Sequence, residues 1–435
     1  MGPSCSWLIC YNDVAHRTLC AFLKQQSSLT SSLGNYYHTI CYMQRFFHFG
    51  CWNNMKNGNA VSDVMTIMKR KIQDTSRPVD FISVAGDNYY PKKGTNKEGG
   101  KKKIIDPKDL DDGFRELPDE PDIYMILGNH DLETNNDKDQ PTLFINDKSE
   151  SDCNILTLQQ DSIQNIANIH FELFKEILMT DETLVLMIDT SMYEDAANKY
   201  LDCYNIFLDK SFTIKDLREY QERKILASIR KYASGLKNLI MVGHHPITGV
   251  KVKKNKIIML NDIPFFKPVL KNIYDLVPNA DFYYLCADLH LYQKGEVAVD
   301  MGDAVMNIEQ HIVGTGGTKL DDAIPRSEIG KVKAKNDVSY VMLNGITSNG
   351  FLECELDDGE PVVRFHKASA SELTRKTKRN QTRRRKQTRG RERKKRRTRR
   401  PSLRSRYSLN TLTRRRKSRN SLNTKTRSRR RNVTV

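Results

Sequence analysis

No apolar run in the 435 residues approaches the roughly 20 that a helix needs to cross a bilayer, so no transmembrane segment is expected. The first residues lack the basic start, long apolar core and small-residue cleavage site of a secretory leader. Met1-Gly2 with Ser6 loosely fits an acylation pattern and Cys5 could take a second lipid, but Pro3 beside the acceptor glycine argues against it. None of the nine cysteines forms a CxxC pair, which excludes zinc-ribbon spacing. Their odd number, in a chain too long to need disulfide staples, predicts a reducing, intracellular setting, cytoplasmic or nuclear.

Basic residues crowd one end of the chain. From residue 371 to the end, 29 of the chain's 71 Lys and Arg residues meet two acids, Glu372 and Glu392. The remaining residues therefore carry a net charge of −9, against +18 for the whole chain. A mildly acidic body and a polycation share one polypeptide. The tail also lacks apolar periodicity and has a single aromatic, Tyr407. It cannot bury enough surface to offset the entropy of ordering, and base stacking has little to work with. We expect residues 369–435 to be a disordered basic tail that binds DNA, RNA or another polyanion through counterion release.

Residues 1–42 show no sustained period and read as an irregular extension before a globular domain over 43–368. In that domain short apolar runs alternate with helical spacing, predicting an α/β fold. Strands are predicted at Arg45–Gly50, Asp80–Ala85, Ile123–Leu127, Leu184–Ile188, Leu239–Val242 and Asp281–Cys286. Helices are predicted at Val61–Gln73 and Ile214–Ala233, the second opened by a Thr213/Asp216 capping box. Val297–Val313 has strand character, whereas Pro91–Lys103 and Asn135–Ser151 read as loops.

What recurs is an event at strand ends. An apolar run stops, usually at glycine, and polar or metal-binding side chains follow at once. The five runs are Gly50-Cys51-Trp52-Asn53, Gly86-Asp87-Asn88-Tyr89-Tyr90, Gly128-Asn129-His130-Asp131, Gly243-His244-His245-Pro246 and Ala287-Asp288-Leu289-His290. Each alone fits a polar turn. Together they have no core-packing reason, whereas α/β sheets collect ligands at the carboxyl ends of their strands.

From about Phe46 to about Asp322 the motifs resemble the calcineurin-like metallophosphoesterase superfamily, in its purple acid phosphatase-like branch. The resemblance implies a four-layer αββα sandwich and a binuclear centre of iron, zinc or manganese. Asp87 would bridge two metals; Tyr90 and His290 would bind the first, Asn129 and His244 the second. His130, oriented by Asp131, would stabilise or protonate the leaving oxygen of a phosphate-ester substrate while metal-bound hydroxide attacks phosphorus. Gly314-Thr315-Gly316-Gly317 and Asp189-Thr190 fall where that branch has similar runs.

Two positions depart from the pattern. Cys51 stands in place of a metal-binding Asp, and Asp288 in place of the first His of a GHxH block. Both can still ligate a metal, as thiolate and carboxylate. Cys51 is equally read as a small buried residue. The protein Ser/Thr phosphatase branch fits less well, since Asp87 is followed by Asn-Tyr-Tyr and His130 by Asp. The DNA-repair nuclease branch shares GNHD and suits the tail, but it predicts neither Tyr90 nor the GTGG run. A degenerate scaffold that binds nucleic acid without turnover is the alternative of a different class.

Overall fold

In the computed structural model, residues 44–369 are described apart from 55–57, 75, 96–98, 135–141, 146–147, 150–152 and 261–262. The chain divides into two units, Met1–Lys376 and Thr377–Val435, and every described residue belongs to the first. The N-terminal extension and the basic tail lie outside the described residues.

The strands in chain order are β1 (Arg45–Phe49), β2 (Phe81–Ala85), β3 (Lys92–Thr95), β4 (Lys101–Ile105), β5 (Asp122–Ile126), β6 (Thr142–Ile145), β7 (Lys148–Ser149), β8 (Ile169–Phe171), β9 (Phe174–Thr180) and β10 (Thr183–Ile188). They continue with β11 (Asn238–Val242), β12 (Val250–Lys253), β13 (Lys256–Met259), β14 (Asp281–Cys286), β15 (Tyr292–Asp300), β16 (Val305–Val313), β17 (Val332–Lys335), β18 (Val338–Ile346), β19 (Gly350–Asp357) and β20 (Glu360–Lys367). The α-helices are α1 (Gly58–Ile72), α2 (Pro107–Glu116), α3 (Asn154–Ile163), α4 (Leu201–Leu208), α5 (Ile214–Tyr232) and α6 (Lys267–Leu276).

Two large sheets organise the described residues. One runs β20-β19-β1-β2-β5-β8 and the other β17-β18-β15-β16-β14-β11-β10-β9. Each has a parallel heart, β1-β2-β5-β8 and β10-β11-β14-β16. Parallel strands buried on both faces read as continuous apolar runs, and the period-2 alternation shows where each side chain goes. Leu184, Leu186 and Ile188 of β10 join one core with α4, α5 and α6. Val185 and Met187 of the same strand join a second core, facing Phe46, Phe81 and Ile126 of the other sheet. Phe47, Phe49, Ile82 and Val84 turn the opposite way, onto Val64, Met65 and Met68 of α1 and Phe114 of α2. Three apolar cores between four layers make the αββα sandwich.

The two helices expected from apolar spacing form as α1 and α5. Leu217, Gln221, Ile225 and Ile229 form the buried stripe of α5. At its start Thr213 and Asp216 cap each other's backbone N–H, as the capping box requires. Three readings need correction. The stretch read as the loop Pro91–Lys103 contains the β3/β4 hairpin, whose lysines hide its strand character. The polar stretch 135–151 contributes β6, which pairs with β4. The single run Val297–Val313 is a hairpin, with β15 and β16 paired about a turn at Met301–Ala304.

The cysteine reading also fails in part. Cys153 and Cys203 form a disulfide across 50 residues, linking the start of α3 to α4. Chain length removes the need for a staple but does not forbid one where two cysteines meet in one core. Among the described residues Cys51, Cys286 and Cys354 are free and buried. No described helix is long and apolar enough to cross a membrane.

β19 returns the chain to β1 and carries a charge cluster that closes the first sheet. Glu353 is 4% exposed, bonds Arg45 of β1 at 2.6 Å, meets Lys71 of α1 at 3.4 Å and pairs with His366 of β20. Burial raises its carboxyl, but His366, Lys71 and Arg45 together outweigh that and hold it at about 2, against 4.5 when free. A depressed carboxylate contributes stability that is complete above about 4.5 and lost as pH falls toward about 2. Glu353→Gln is expected to lower unfolding free energy by about 3 kcal/mol at neutral pH, since it removes one partner of a buried charge group. Urea melts at neutral pH and near pH 3 should show that deficit shrinking in acid; equal deficits at both would contradict this account.

Candidate metal centre

All five motif runs, with Asp189-Thr190 after β10 and the Gly314–Gly317 run after β16, lie at the carboxyl ends of parallel strands. They bring the two sheets together. Gly50 N donates to Val313 O at 3.1 Å, and Gly316 N donates back to Gly50 O at 3.0 Å. At the β2 end Gly86 has φ +74°, and Asp87 follows at φ +53°. Cys51 and Asp288, at their own strand ends, have φ +52° and +57°. Left-handed backbone at non-glycine residues costs about 1–2 kcal/mol each, so three at one locus mark a place held for something other than packing.

Asp87 sits at the middle, and its two oxygens face different neighbours. Oδ2 accepts the Tyr90 hydroxyl at 2.6 Å and lies 3.7 Å from Cys51 Sγ. The same Tyr90 oxygen is 3.1 Å from His290 Nε2. Oδ1 is 3.4 Å from His244 Nε2 and accepts the His130 backbone N–H at 3.0 Å. His244 Nε2 is in turn 3.1 Å from Asn129 Oδ1 and 4.0 Å from Asp288 Oδ1. Gly128 makes this approach possible, because a Cβ there would overlap Asp87 and His244.

Proton accounting decides whether these atoms suit cations. His244 Nδ1–H donates to Ala85 O at 2.6 Å, which leaves Nε2 as a lone pair. Burial lowers the His244 pKa even though the Asp87 charge pulls the other way, so the ring is neutral. Nε2, Asn129 Oδ1 and Asp87 Oδ1 then face one another as acceptors with no hydrogen bond joining Nε2 to either oxygen, and Asp288 Oδ1 lies 4.0 Å from Nε2. Such electron pairs repel one another unless a cation stands between them. On the other side, burial and then the Asp87 charge push the Cys51 thiol and the Tyr90 phenol well above their ordinary values. For Asp87 itself burial raises the carboxyl, but His244, His130 and the Tyr90 hydroxyl outweigh it and keep the group ionised. Cys51, Asp87 and His244 have ligand atoms within 4.8 Å of one another, as do His244, His245 and Asp288.

No protein-family model matches the chain, and no curated protein matches it. Among solved structures the chain is similar to one described as GAP50, the anchor in the inner membrane complex of Plasmodium, at 14% identity. That similarity has a TM-score of 0.41 and covers 76% of this chain and 86% of that one. It is also similar to the 5'-nucleotidase of Candida albicans SC5314, at 10% identity and a TM-score of 0.32. There it covers 76% of this chain and 52% of the nucleotidase, about half of that enzyme's length.

Of the residues singled out from sequence, Cys51, Asp87, Tyr90, Asn129, His130, His244, Asp288 and His290 meet in this one cluster. Asp131 does not orient His130. Its carboxylate is fully buried and accepts Asn88 N, Asn88 Nδ2, Gly128 N and Gln159 Nε2 at 2.8–3.0 Å. The imidazole of His130 instead bonds Glu133 Oε1 through Nδ1, at 2.5 Å. Nothing in the GNHD pattern points to Glu133; the available signal was a carboxylate three residues after the histidine, on the same turn. Thr190 was noted only by position. Its hydroxyl accepts the backbone N–H of both His244 and His245, at 3.0 and 2.9 Å.

Because Cys51 and Tyr90 hold their protons when the cluster is metal-free, loading it with zinc is expected to release protons and to weaken from about pH 8 to about pH 6. Cys51→Ala should lower both the proton count and the metal stoichiometry, while Cys51→Asp should keep the stoichiometry. Calorimetry in buffers of different ionisation enthalpy measures both quantities. Full stoichiometry with unchanged proton release in Cys51→Ala would remove this residue from the ligands.

Proposed function

We propose that this chain is a binuclear-metal phosphoesterase of the calcineurin-like superfamily, purple acid phosphatase-like in its ligands, acting on phosphate monoesters. One observation carries the reading. The two oxygens of Asp87 face two separate donor sets, the arrangement of a carboxylate that bridges two cations. Cys51, Tyr90 and His290 would hold the first metal; Asn129, His244 and Asp288 would hold the second. A Cys, Tyr, His and Asp mixture favours iron, zinc or manganese over calcium or magnesium.

When bound, such a pair of cations lowers the pKa of a water and draws charge from a phosphoryl oxygen. The chain's own residues supply the rest. Asp87, held ionised, supplies negative charge to both donor sets. His130 is half-exposed at the mouth of the cluster, its ring 4.8 Å from that of Tyr90, where an incoming ester oxygen can reach it. Burial lowers its pKa, but Asp87 and Glu133 outweigh that and raise it to about 9. In the metal-free cluster it is therefore protonated at neutral pH, the form that can give a proton to a leaving alkoxide.

The test is turnover of an aryl phosphate by the metal-loaded full chain. Asp87→Asn should abolish hydrolysis and lower metal content together. His130→Ala should keep its metal and lose about 10²- to 10⁴-fold in kcat, the range for a general acid. Wild-type turnover in Asp87→Asn would refute the reading, and full metal uptake without turnover in the wild type would make the chain a scaffold.

We further propose that the basic tail binds polyanions independently of the site. Removing residues 371–435 should leave aryl phosphate hydrolysis unchanged and abolish most of the salt-dependent binding to long DNA or RNA, since the body is net negative. The same slope of log affinity against log salt before and after truncation would contradict this.

A further inference from the structure

The His130 ring is held from outside the metal cluster. Glu133 Oε1 lies 2.5 Å from His130 Nδ1 and also pairs with Lys103 of β4. Lys103 is 5% exposed and reaches in from the β3/β4 hairpin. The other oxygen, Oε2, is buried with no hydrogen-bond partner among the described residues. A buried carboxylate that leaves half its capacity unsatisfied is an expensive way to fix a turn. All its bonding goes through the one atom shared by the imidazole and the ammonium.

We propose that Glu133 is a positioning residue for His130, and that Lys103 fixes Glu133 in turn. A carboxylate only accepts here, so His130 Nδ1–H donates to it, and Nε2 is the nitrogen turned to substrate. The ring then has one orientation instead of a torsional spread. In the reaction a water oxygen would bond to phosphorus as the ester P–O bond breaks, and Nε2–H would pass its proton to the departing ester oxygen while Nδ1–H stays on Glu133. The alcohol leaves protonated, the phosphate keeps the water oxygen, and the proton that water loses balances the one the imidazole gives up. Lys103 brings a hairpin that no strand-end motif includes into contact with the site. This rests on the phosphoesterase reading.

The discriminating measurement uses the metal-loaded full chain and two substrates of opposite demand. 2,4-Dinitrophenyl phosphate leaves without a proton, whereas a simple alkyl phosphate needs one. Glu133→Gln should keep metal content and keep KM within about 2-fold. It should lower kcat for the alkyl ester by about 10- to 100-fold and for the dinitrophenyl ester by less than about 3-fold. Glu133→Asp should recover part of the loss, and Lys103→Met should give a smaller loss with the same substrate bias. Equal losses on both esters, or a loss of metal, would overturn the proposal and make Glu133 a structural residue.

Should the wild type turn over neither ester, the hydrolase reading fails and the leaving-group role falls with it. The orientation is then read directly from ¹⁵N-imidazole NMR. A strongly downfield Nδ1 proton on His130 in the wild type, lost in Glu133→Gln, supports the Glu133–His130 bond. Its absence in the wild type overturns it.

Discussion

Four N–H donors converge on the Asp131 carboxylate, and the geometry of the candidate metal centre depends on them. Two come from Asn88, one from Gly128 and one from Gln159. Asn88 follows Asp87 directly, so Asp131 ties the loop after β2 to the loop after β5. That tie holds Asp87 in the left-handed region and sets its oxygens between two groups of ligands. Trp52 extends the frame, since its indole N–H donates to Asn88 Oδ1 at 3.2 Å and its ring packs edge-on to Phe114. The brace continues outward through α3. That helix carries Gln159, begins beside Cys153 and is joined by the disulfide to Cys203, whose sulfur lies 3.9 Å from Leu132 O. A site of polar side chains is thus rigid because apolar layers and one saturated carboxylate stand behind it.

The same frame explains why the ligands need unusual backbone. A strand that ran straight past its last hydrogen bond would carry its side chains out to solvent. Turning into the left-handed region at Cys51, Asp87 and Asp288 folds each chain back over the sheet end. Asp tolerates that region because its short carboxylate can bond locally; cysteine has no such compensation. Retaining it at 51 therefore calls for a gain elsewhere, and the sulfur facing Asp87 at 3.7 Å is where that gain would arise.

Strand ends were legible in the sequence because parallel strands buried on both faces leave unbroken apolar runs that stop abruptly. β2 and β11 show this, with every residue buried. What was illegible had mixed burial or depended on distance. β3 and β4 carry lysines, and only Lys103 and Ile105 are buried, so their strand pattern is faint. α2 is short and charged, and its buried face is Leu110, Gly113 and Phe114. In the site, motif order picked out residues that the fold brings together but misassigned the partner of His130. Asp131 and Glu133 are both carboxylates within three residues of it. Only the fold shows that the backbone N–H groups have already claimed the nearer one. The Cys153–Cys203 pair was hidden for the same reason, since a 50-residue separation has no sequence signature.

Against the motif pattern the sequence resembles, Cys51 in place of a carboxylate and Asp288 in place of a histidine would change the two halves of the candidate cluster in opposite directions. The first half becomes softer, with sulfur, phenol and imidazole around one carboxylate oxygen. The second becomes harder, with an amide oxygen and two carboxylates beside a single imidazole. In the Irving–Williams order, tight binding alone would favour copper or zinc in both, so selectivity must come from this difference in softness. A cysteine adds a negative charge only once its proton has left, and burial and the Asp87 charge hold that proton on Cys51. The two halves should therefore fill unequally, with the Asp288 half loaded at lower pH and the Cys51 half following as protons are released. On the proposed reading Cys51 and Asp288 would not empty the centre; they would make its occupancy depend on pH and on the metal supplied.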